Sequence, residues 1–344
     1  MNPDQAEPRL LAGNPDPAHL ARRIGLLADA LGYPFQHGAA STGLDLMTGL
    51  RSRDERERLF PLVEPVAPAM LIVEDDIDWC RPPTEEEAGH AWCHGYDRGG
   101  SYLGGIAGLK LGIGNPTHHR DGTAFVKEVP GYWRVAIPGQ AADWRYPALL
   151  DYTGKHAGQT RWVSTPTLQL ALENDVPVEV LEAYTWPENA RILDTWYGRM
   201  RDARTRLDVD GDPDAKAARD EVKEIYTKAI GMLGSHQYNV GKRTYRPDWR
   251  HLIQGKSNAN ILRRVLSIGR ASGRWPVAIK KDTIVYTSND PNPVTAWPGQ
   301  EKDYGRGIGQ WKHEGTSPIA DQLPYLAGGP YRGRDNLVDQ GGGE

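Results

Sequence analysis

The chain has 344 residues, 39% hydrophobic and 25% charged, enough to fold two or three modules around buried cores. Its 39 Gly and 26 Pro call for many turns without reaching the low-complexity range. The sequence has no apolar run long enough to span a membrane and no signal-peptide pattern, and its two cysteines cannot form a disulfide framework, so the expected compartment is a reducing cytoplasm.

The loop-prone start, with Asn-Pro, Glu-Pro and Asp-Pro dipeptides, gives way to helical spacing of Leu20, Ile24, Leu27 and Leu31, stopped by Gly32. A second helix, polar and Arg-rich, is expected over 41–60. MLIVEDDIDW (70–79) reads as a strand that turns acidic. Thr84 with Glu87 three residues later marks a capped helix start. A strand is expected to end near Asp97, followed by a tight, glycine-rich path. Residues 131–138 and 160–166 read as strands and 168–175 as a short helix. Residues 188–207 and 214–234 form two helices around the turn DVDGDPD, a helical hairpin. A helix is expected over 251–272 and strand–turn–strand over 277–288. The tail, DNLVDQGGGE, is expected to fray.

Net charge is −4, but it is unevenly spread. Residues 1–96 hold 16 acids and 8 bases, whereas residues 241–281 hold 11 Lys and Arg against Asp248 alone. So basic a block in an acidic chain is an electrostatic footprint for a polyanion, with Arg243, Arg250, Lys256, Arg263, Arg264 and Arg270 as candidate DNA contacts. The alternative is a solvated basic helix face.

Three weaker patterns are set aside. Asp208, Asp210 and Asp212 open like a calcium loop but lack its Gly and Glu positions. Cys80, His90, Cys93 and His94 fit no standard zinc spacing. GLKLGIGN (108–115) lacks the ending of a phosphate loop. A stronger pattern is an ordered set: Asp97 at a strand end, Lys223 on the second hairpin helix, and Asp282 at a hairpin apex. Phosphoryl transfer to a hydroxyl requires two carboxylates to hold two divalent ions, a cation to grip the triphosphate and a basic surface for the template. Lys216, Arg219 and Lys223 share a helical face with few acids, and Arg201 and Arg204 on the preceding helix add to it, which fits a phosphate partner.

These segments resemble family B DNA polymerases. YDRGGSYL (96–103) is similar to motif A, D-x-x-S-L-Y-P, with Asp97 at the metal aspartate and Tyr102 at the tyrosine that excludes ribonucleotides. KEIYTKAIG (223–231) is similar to motif B: Lys223 and Gly231 match, while Thr227 and Ile230 depart. KKDTIV (280–285) is similar to motif C, with Asp282 at the second aspartate and Lys280 at the first. GQWKHEGT (309–316) is close to a G-x-W-x-H-E-S-T segment of the protein-primed branch, and brings Lys312 and His313 into the DNA-contact set. The K-x-Y lysine expected before Tyr331 is replaced by Gly329, and no exonuclease motif stands upstream. The texture also resembles the C-terminal part of telomere-associated proteins of actinobacterial linear replicons.

The resemblance implies an α+β architecture: a polymerase-like palm, an antiparallel sheet with flanking helices, plus helical-hairpin fingers and a small N-terminal region. The expected boundaries are 1–90 for the N-terminal region, 91–187 and 235–300 for the palm, 188–234 for the fingers, and 301–344 for a thumb-like remnant and tail. It further implies template-directed nucleotidyl transfer for a linear plasmid, phage or integrated element, with Asp97 and Asp282 as metal ligands and Lys223 as a catalytic cation. Tyr102, Lys223, Gly231, Arg201 and Arg204 are the implied nucleotide contacts. The cofactor is Mg²⁺ or Mn²⁺. The partners are DNA, as duplex or single-stranded template, and a terminal or priming protein, in a nucleoid-associated cytoplasmic setting without a membrane. The rival expectation is a non-catalytic, telomere-associated DNA-binding protein of the same fold. A third is a glycan- or peptide-binding protein, for which the 11 Trp would speak.

Overall fold

The computed structural model describes residues 9–141 and 143–338; the end of the expected frayed tail, 339–344, and the first eight residues of the loop-prone start lie outside the described residues. Helices α1 (Pro17–Leu31), α2 (Ala39–Gly49) and α3 (Arg53–Leu59) are followed by β1 (Asp78–Cys80), α4 (Glu85–Ala88), β2 (Trp92–Arg98) and α5 (Ser101–Ile106). Next come β3 (Leu111–Gly112), β4 (Thr117–His119), β5 (Gly131–Ala136), β6 (Thr160–Ser164), α6 (Thr165–Leu172), β7 (Val180–Thr185) and β8 (Asn189–Ala190). Helices α7 (Asp194–Arg206), α8 (Pro213–Leu233), α9 (His236–Asn239) and α10 (Pro247–Ser272) lead to β9 (Ala278–Lys280), β10 (Thr283–Ser288), α11 (Pro293–Ala296), β11 (Trp311–Pro318) and α12 (Ile319–Gln322). Among the described residues, no helix is long and apolar enough to cross a membrane.

The chain divides by contact into two units. The first comprises residues 9–66, 106–115 and 188–250 and is mainly helical. Helix α1 starts where Asp16 accepts the amide hydrogens of Ala18 and His19, and stops at Gly32, whose φ of 57° few other residues adopt. The single helix expected over 41–60 is two helices: α2 ends at Leu50, and Ser52 with Glu55 forms a new capping box for α3. In the helical hairpin, α8 buries Val222, Ile225, Tyr226, Ala229 and Leu233. It crosses α2 at Gly43, where a Cβ would meet the Ile225 carbonyl oxygen at 2.7 Å and the Ala229 methyl at 2.6 Å. Arg23 ties α1 to the start of α8 through Asp214 at 2.8 Å. The N-terminal helices therefore pack on the hairpin, and the boundary by contact falls at residue 66, where the sequence pattern placed it at 90.

The second unit comprises 67–105, 116–187 and 251–338 of the described chain. It holds a five-stranded antiparallel sheet of order β1-β9-β10-β2-β11 and a four-stranded antiparallel sheet of order β4-β7-β5-β6. Their apolar faces meet α10 in one core: Trp133, Val135 and Val163 from the smaller sheet, Tyr96, Ile279 and Ile284 from the larger, Ile261, Leu262 and Val265 from the helix. Helix α10 thus serves as a core helix rather than a surface helix with one apolar stripe. Its Gly255 leaves room for Ser164 and Glu74, which a Cβ would touch.

The strand expected over 70–79 is reduced to Asp78–Cys80, because the acids before it are drawn to separate partners. Glu74 is buried and accepts the Ser164 amide hydrogen at 2.9 Å and the Thr167 hydroxyl at 2.8 Å; Asp75 pairs with Arg161 at 3.1 Å. Burial raises the Glu74 pKa in spite of the Ser164 and Thr167 donors. The folded chain therefore holds this proton more tightly than the unfolded one. The contribution of this group to stability is greatest below the unfolded carboxyl value of about 4.3 and falls as pH rises toward the folded value. The denaturation midpoint of the wild type is expected to fall relative to that of Glu74→Gln as pH rises above the unfolded carboxyl value; parallel pH profiles would contradict this.

Candidate active site

The larger sheet has two chemically different faces, set by strand alternation. One face carries Tyr96, Ile279, Ile284 and Trp311 into the core. Across the other, the pairings Asp78↔Lys280, Lys280↔Thr283, Thr283↔Asp97 and Asp97↔Lys312 line five residues into one transverse row. Asp97 ends β2. Asp282 stands in the two-residue β9–β10 turn, where Lys281 takes a φ of 56°, one residue before Thr283, the cross-strand partner of Asp97. The Arg98 amide donates to the Asp282 carbonyl at 3.0 Å, so the two aspartates lie on adjoining strand ends.

Lys280, at the motif C departure, lies on the same face as Asp97 but two strands away, roughly 10 Å by strand spacing. Its Nζ is 2.5 Å from Asp78 Oδ2, so its charge is met by β1. Lys312 is the cation beside Asp97, at 3.6 Å. Glu314 is the extra residue where the β11–β2 register shifts, and, two residues after Lys312, it lies on the Asp97 face. There it accepts the Thr283 hydroxyl at 2.6 Å and pairs with Arg334. Partial burial works against the Arg334 cation, but the bond to Glu314 and the charges of Glu314, Asp282 and Asp97 outweigh it and raise its pKa.

Hard carboxylate oxygens are the donors Mg²⁺ or Mn²⁺ takes, and Mg²⁺ is commonly held by one or two carboxylates with substrate phosphates completing its shell. Asp97 and Asp282 fit that demand. Among the described residues, no group of three or more His, Cys, Asp or Glu is gathered to hold an ion by itself. The zinc pattern is dispersed too. Cys93 is buried, which pushes its thiol up to about 12, while His94 bonds to Thr316 and to the Asp290 carbonyl.

Tyr102 stands on α5, which the chain enters through Gly99 and Gly100; a Cβ at Gly99 would meet the Gly307 carbonyl at 2.6 Å, and Gly100 has a φ of 62°. Its hydroxyl lies 3.3 Å from Asp76, which also accepts from Gln254 at 3.2 Å and has Lys281 at 3.8 Å. Tyr102 is half-buried. His313 is on the opposite face from Lys312, its Nε2 within 2.8 Å of Thr316 Oγ1 and its ring near Tyr96.

Several cations of the basic block have partners within the fold. Arg263 pairs with Glu173 and Arg264 with Asp303, each at 2.8 Å, and Arg270 donates to the Asn174 side chain. Burial, then the charge of Arg263, lowers the Lys256 pKa. In the first unit, Arg243 donates to the Phe60 carbonyl and the Arg250 side chain lies against Gly234. Acids and carbonyls from distant segments meet the cations that look unbalanced in sequence. On the hairpin, Lys216 pairs with Asp220 and Arg219 with Asp208; Arg201 pairs with Asp202 and Arg204 donates to the Tyr226 hydroxyl. The expected three-cation face is thereby reduced to Lys223, which is exposed and, among the described residues, without an ion pair. Gly231 faces open space.

No protein-family model and no curated protein sequence matches the chain. Among solved structures it is similar to phi29 DNA polymerase complexed with primer-template DNA, at a TM-score of 0.56 and 13% identity over 86% of this chain and 55% of that one. The ternary complex of that polymerase with primer-template DNA and incoming nucleotide gives 0.54 and 12% over 82% and 53%, and its orthorhombic crystal form gives 0.53 and 14% over 81% and 52%. The fold is polymerase-like. The likeness is one of fold, and the chain spans about half the length of the polymerase it matches. Within this polymerase-like fold, sequence reasoning missed Glu314, Arg334 and Asp76. Glu314 lies two residues after Lys312 in the WKHE segment, so strand alternation puts it on the Asp97 face; its contacts with Thr283 and Arg334 come from distant segments and carry no local signal.

Proposed function

We propose that the chain is a compact DNA polymerase-like nucleotidyltransferase whose Asp97 and Asp282 hold divalent ions, Mg²⁺ or Mn²⁺. What supports the reading is that Asp97, near the end of β2, and Asp282, in the turn before β10, stand on neighbouring segments of a polymerase-like fold. Bound there, such ions activate the attacking oxygen and stabilise charge at the transferring phosphorus. The chain's own residues supply the rest. Asp97 and Asp282 provide anionic oxygens, Tyr102 meets the sugar of the incoming nucleotide, Lys223 grips its triphosphate, and Lys312 lies beside Asp97 where a phosphate backbone would enter. DNA is the proposed template, and a terminal protein the proposed primer for a linear replicon.

A second reading, a DNA-binding protein of the same fold without catalysis, is favoured by the cations Lys312 and Arg334 at the carboxylates. Primer extension separates the two. Incorporation is expected on a primed template with Mg²⁺ or Mn²⁺, and Lys223→Ala should remove it while leaving duplex binding within about twofold of wild type. No incorporation by the wild type with either ion, with or without a protein primer, overturns the first reading. Incorporation that survives Lys223→Ala removes this lysine from the mechanism.

A further inference from the structure

Beyond the polar row, the Asp97 face of the larger sheet is covered by the C-terminal segment. Cys80, Cys93, Ala278 and Val285 of the sheet bury Ile319, Leu326 and Tyr331 in a separate apolar cluster, with Leu337 packed against it. The fit is close: a Cβ at Gly95 would meet Leu337 Cδ1 at 2.6 Å. Backbone bonds pin the segment at both ends, from Cys80 N–H to the Gly329 carbonyl at 2.8 Å and between Thr316 and Val338 at 3.0 and 3.1 Å. Anchored so, the segment delivers two cations to the row. Arg332 reaches Asp78 at 3.2 Å, beside the Tyr331 amide at 2.8 Å, and Arg334 reaches Glu314.

Asp78 already has Lys280, so Arg332 adds to a balanced pair. Arg334 differs. Three carboxylates act on it: Glu314 by direct contact, Asp282 and Asp97 by charge. With Lys312, it offsets two of their three negative charges. We propose that Arg334 is the resident counter-ion of the Asp97, Asp282 and Glu314 carboxylates, and that a divalent ion binds there only as the Arg334 guanidinium withdraws. The inference rests on the reading that Asp97 and Asp282 hold an ion. It makes metal uptake depend on a side chain of the C-terminal segment.

The test is Mn²⁺ titration of the full chain by calorimetry, with bound Mn²⁺ counted by electron paramagnetic resonance. Arg334→Gln is expected to bind Mn²⁺ about tenfold tighter than wild type, the effect of removing one like charge near the site. Arg334→Lys, which keeps the charge, should stay close to wild type, and Asp97→Asn added to Arg334→Gln should abolish the gain. Arg334→Met is a second neutral variant should Arg334→Gln fail to fold, judged by circular dichroism. Asp97-dependent binding in the wild type that the neutral variants leave unchanged or weaken overturns the counter-ion and leaves the metal reading standing. Absence of Asp97-dependent binding in wild type and neutral variants alike overturns both.

Discussion

Asp97→Asn is expected to lower metal-dependent nucleotide incorporation by a factor on the order of 10³, the several kcal/mol that charge stabilisation by a bound ion supplies at a transferring phosphorus. Asparagine keeps the shape and one acceptor oxygen but not the charge. The fold should tolerate the change. Asp97 lies at a strand end, and its ion partner Lys312 is half exposed, so the lost pair contributes little to stability. Single-turnover incorporation, with a melting curve as control, checks this. Activity within tenfold of wild type in a folded variant would place the chemistry elsewhere.

The largest expected effect on stability is at Arg246→Met. Arg246 is fully buried; its Nε and Nη2 meet both oxygens of Asp248 at 2.9 and 2.6 Å, and Nη2 also reaches the Gly112 carbonyl at 2.7 Å. The guanidinium lies 4.2 Å from the Trp249 ring centroid, and the Trp249 indole donates to the same carbonyl at 2.9 Å. Removing the cation leaves Asp248 as a buried, uncompensated charge, which costs about 3–5 kcal/mol. Urea denaturation followed by circular dichroism measures it. Arg246→Met with Asp248→Leu should recover much of the loss, since the penalty comes from the stranded carboxylate; a double variant as unstable as the single would assign the loss to packing on Trp249 instead.

Local signals carried well from sequence to structure. Gly32 ends α1, and Thr84 and Glu87 form the capping box of α4, because each depends on residues within one turn. The β9–β10 hairpin is local in the same sense. What failed was inference about charge over distance. Glu173 and Asp303, which meet the cations of α10, lie 90 and 39 residues from their partners. The acids of EDDID find Ser164, Arg161 and Lys280 across 86 to 202 residues. A net charge counted along a segment says little about the field around it once the chain has folded. For the candidate site, the order of Asp97 and Asp282 was legible, while the charges beside them, Glu314 and Arg334, were not.

The irregularity in β11 separates what the fold requires from what the site uses. Lys312 and His313 pair with Asp97 and Tyr96, and Gly315 and Thr316 resume with Gly95 and His94, so every ladder partner is assigned without Glu314. A chain one residue shorter at this point would keep the same strand neighbours and the same buried face. Glu314 is a removable insertion whose contribution is a carboxylate and its tether to the C-terminal segment. Variation in length at this position, rather than exchange of one side chain for another, is thus a route by which the charge of the site can change while the sheet that carries it stays as it is.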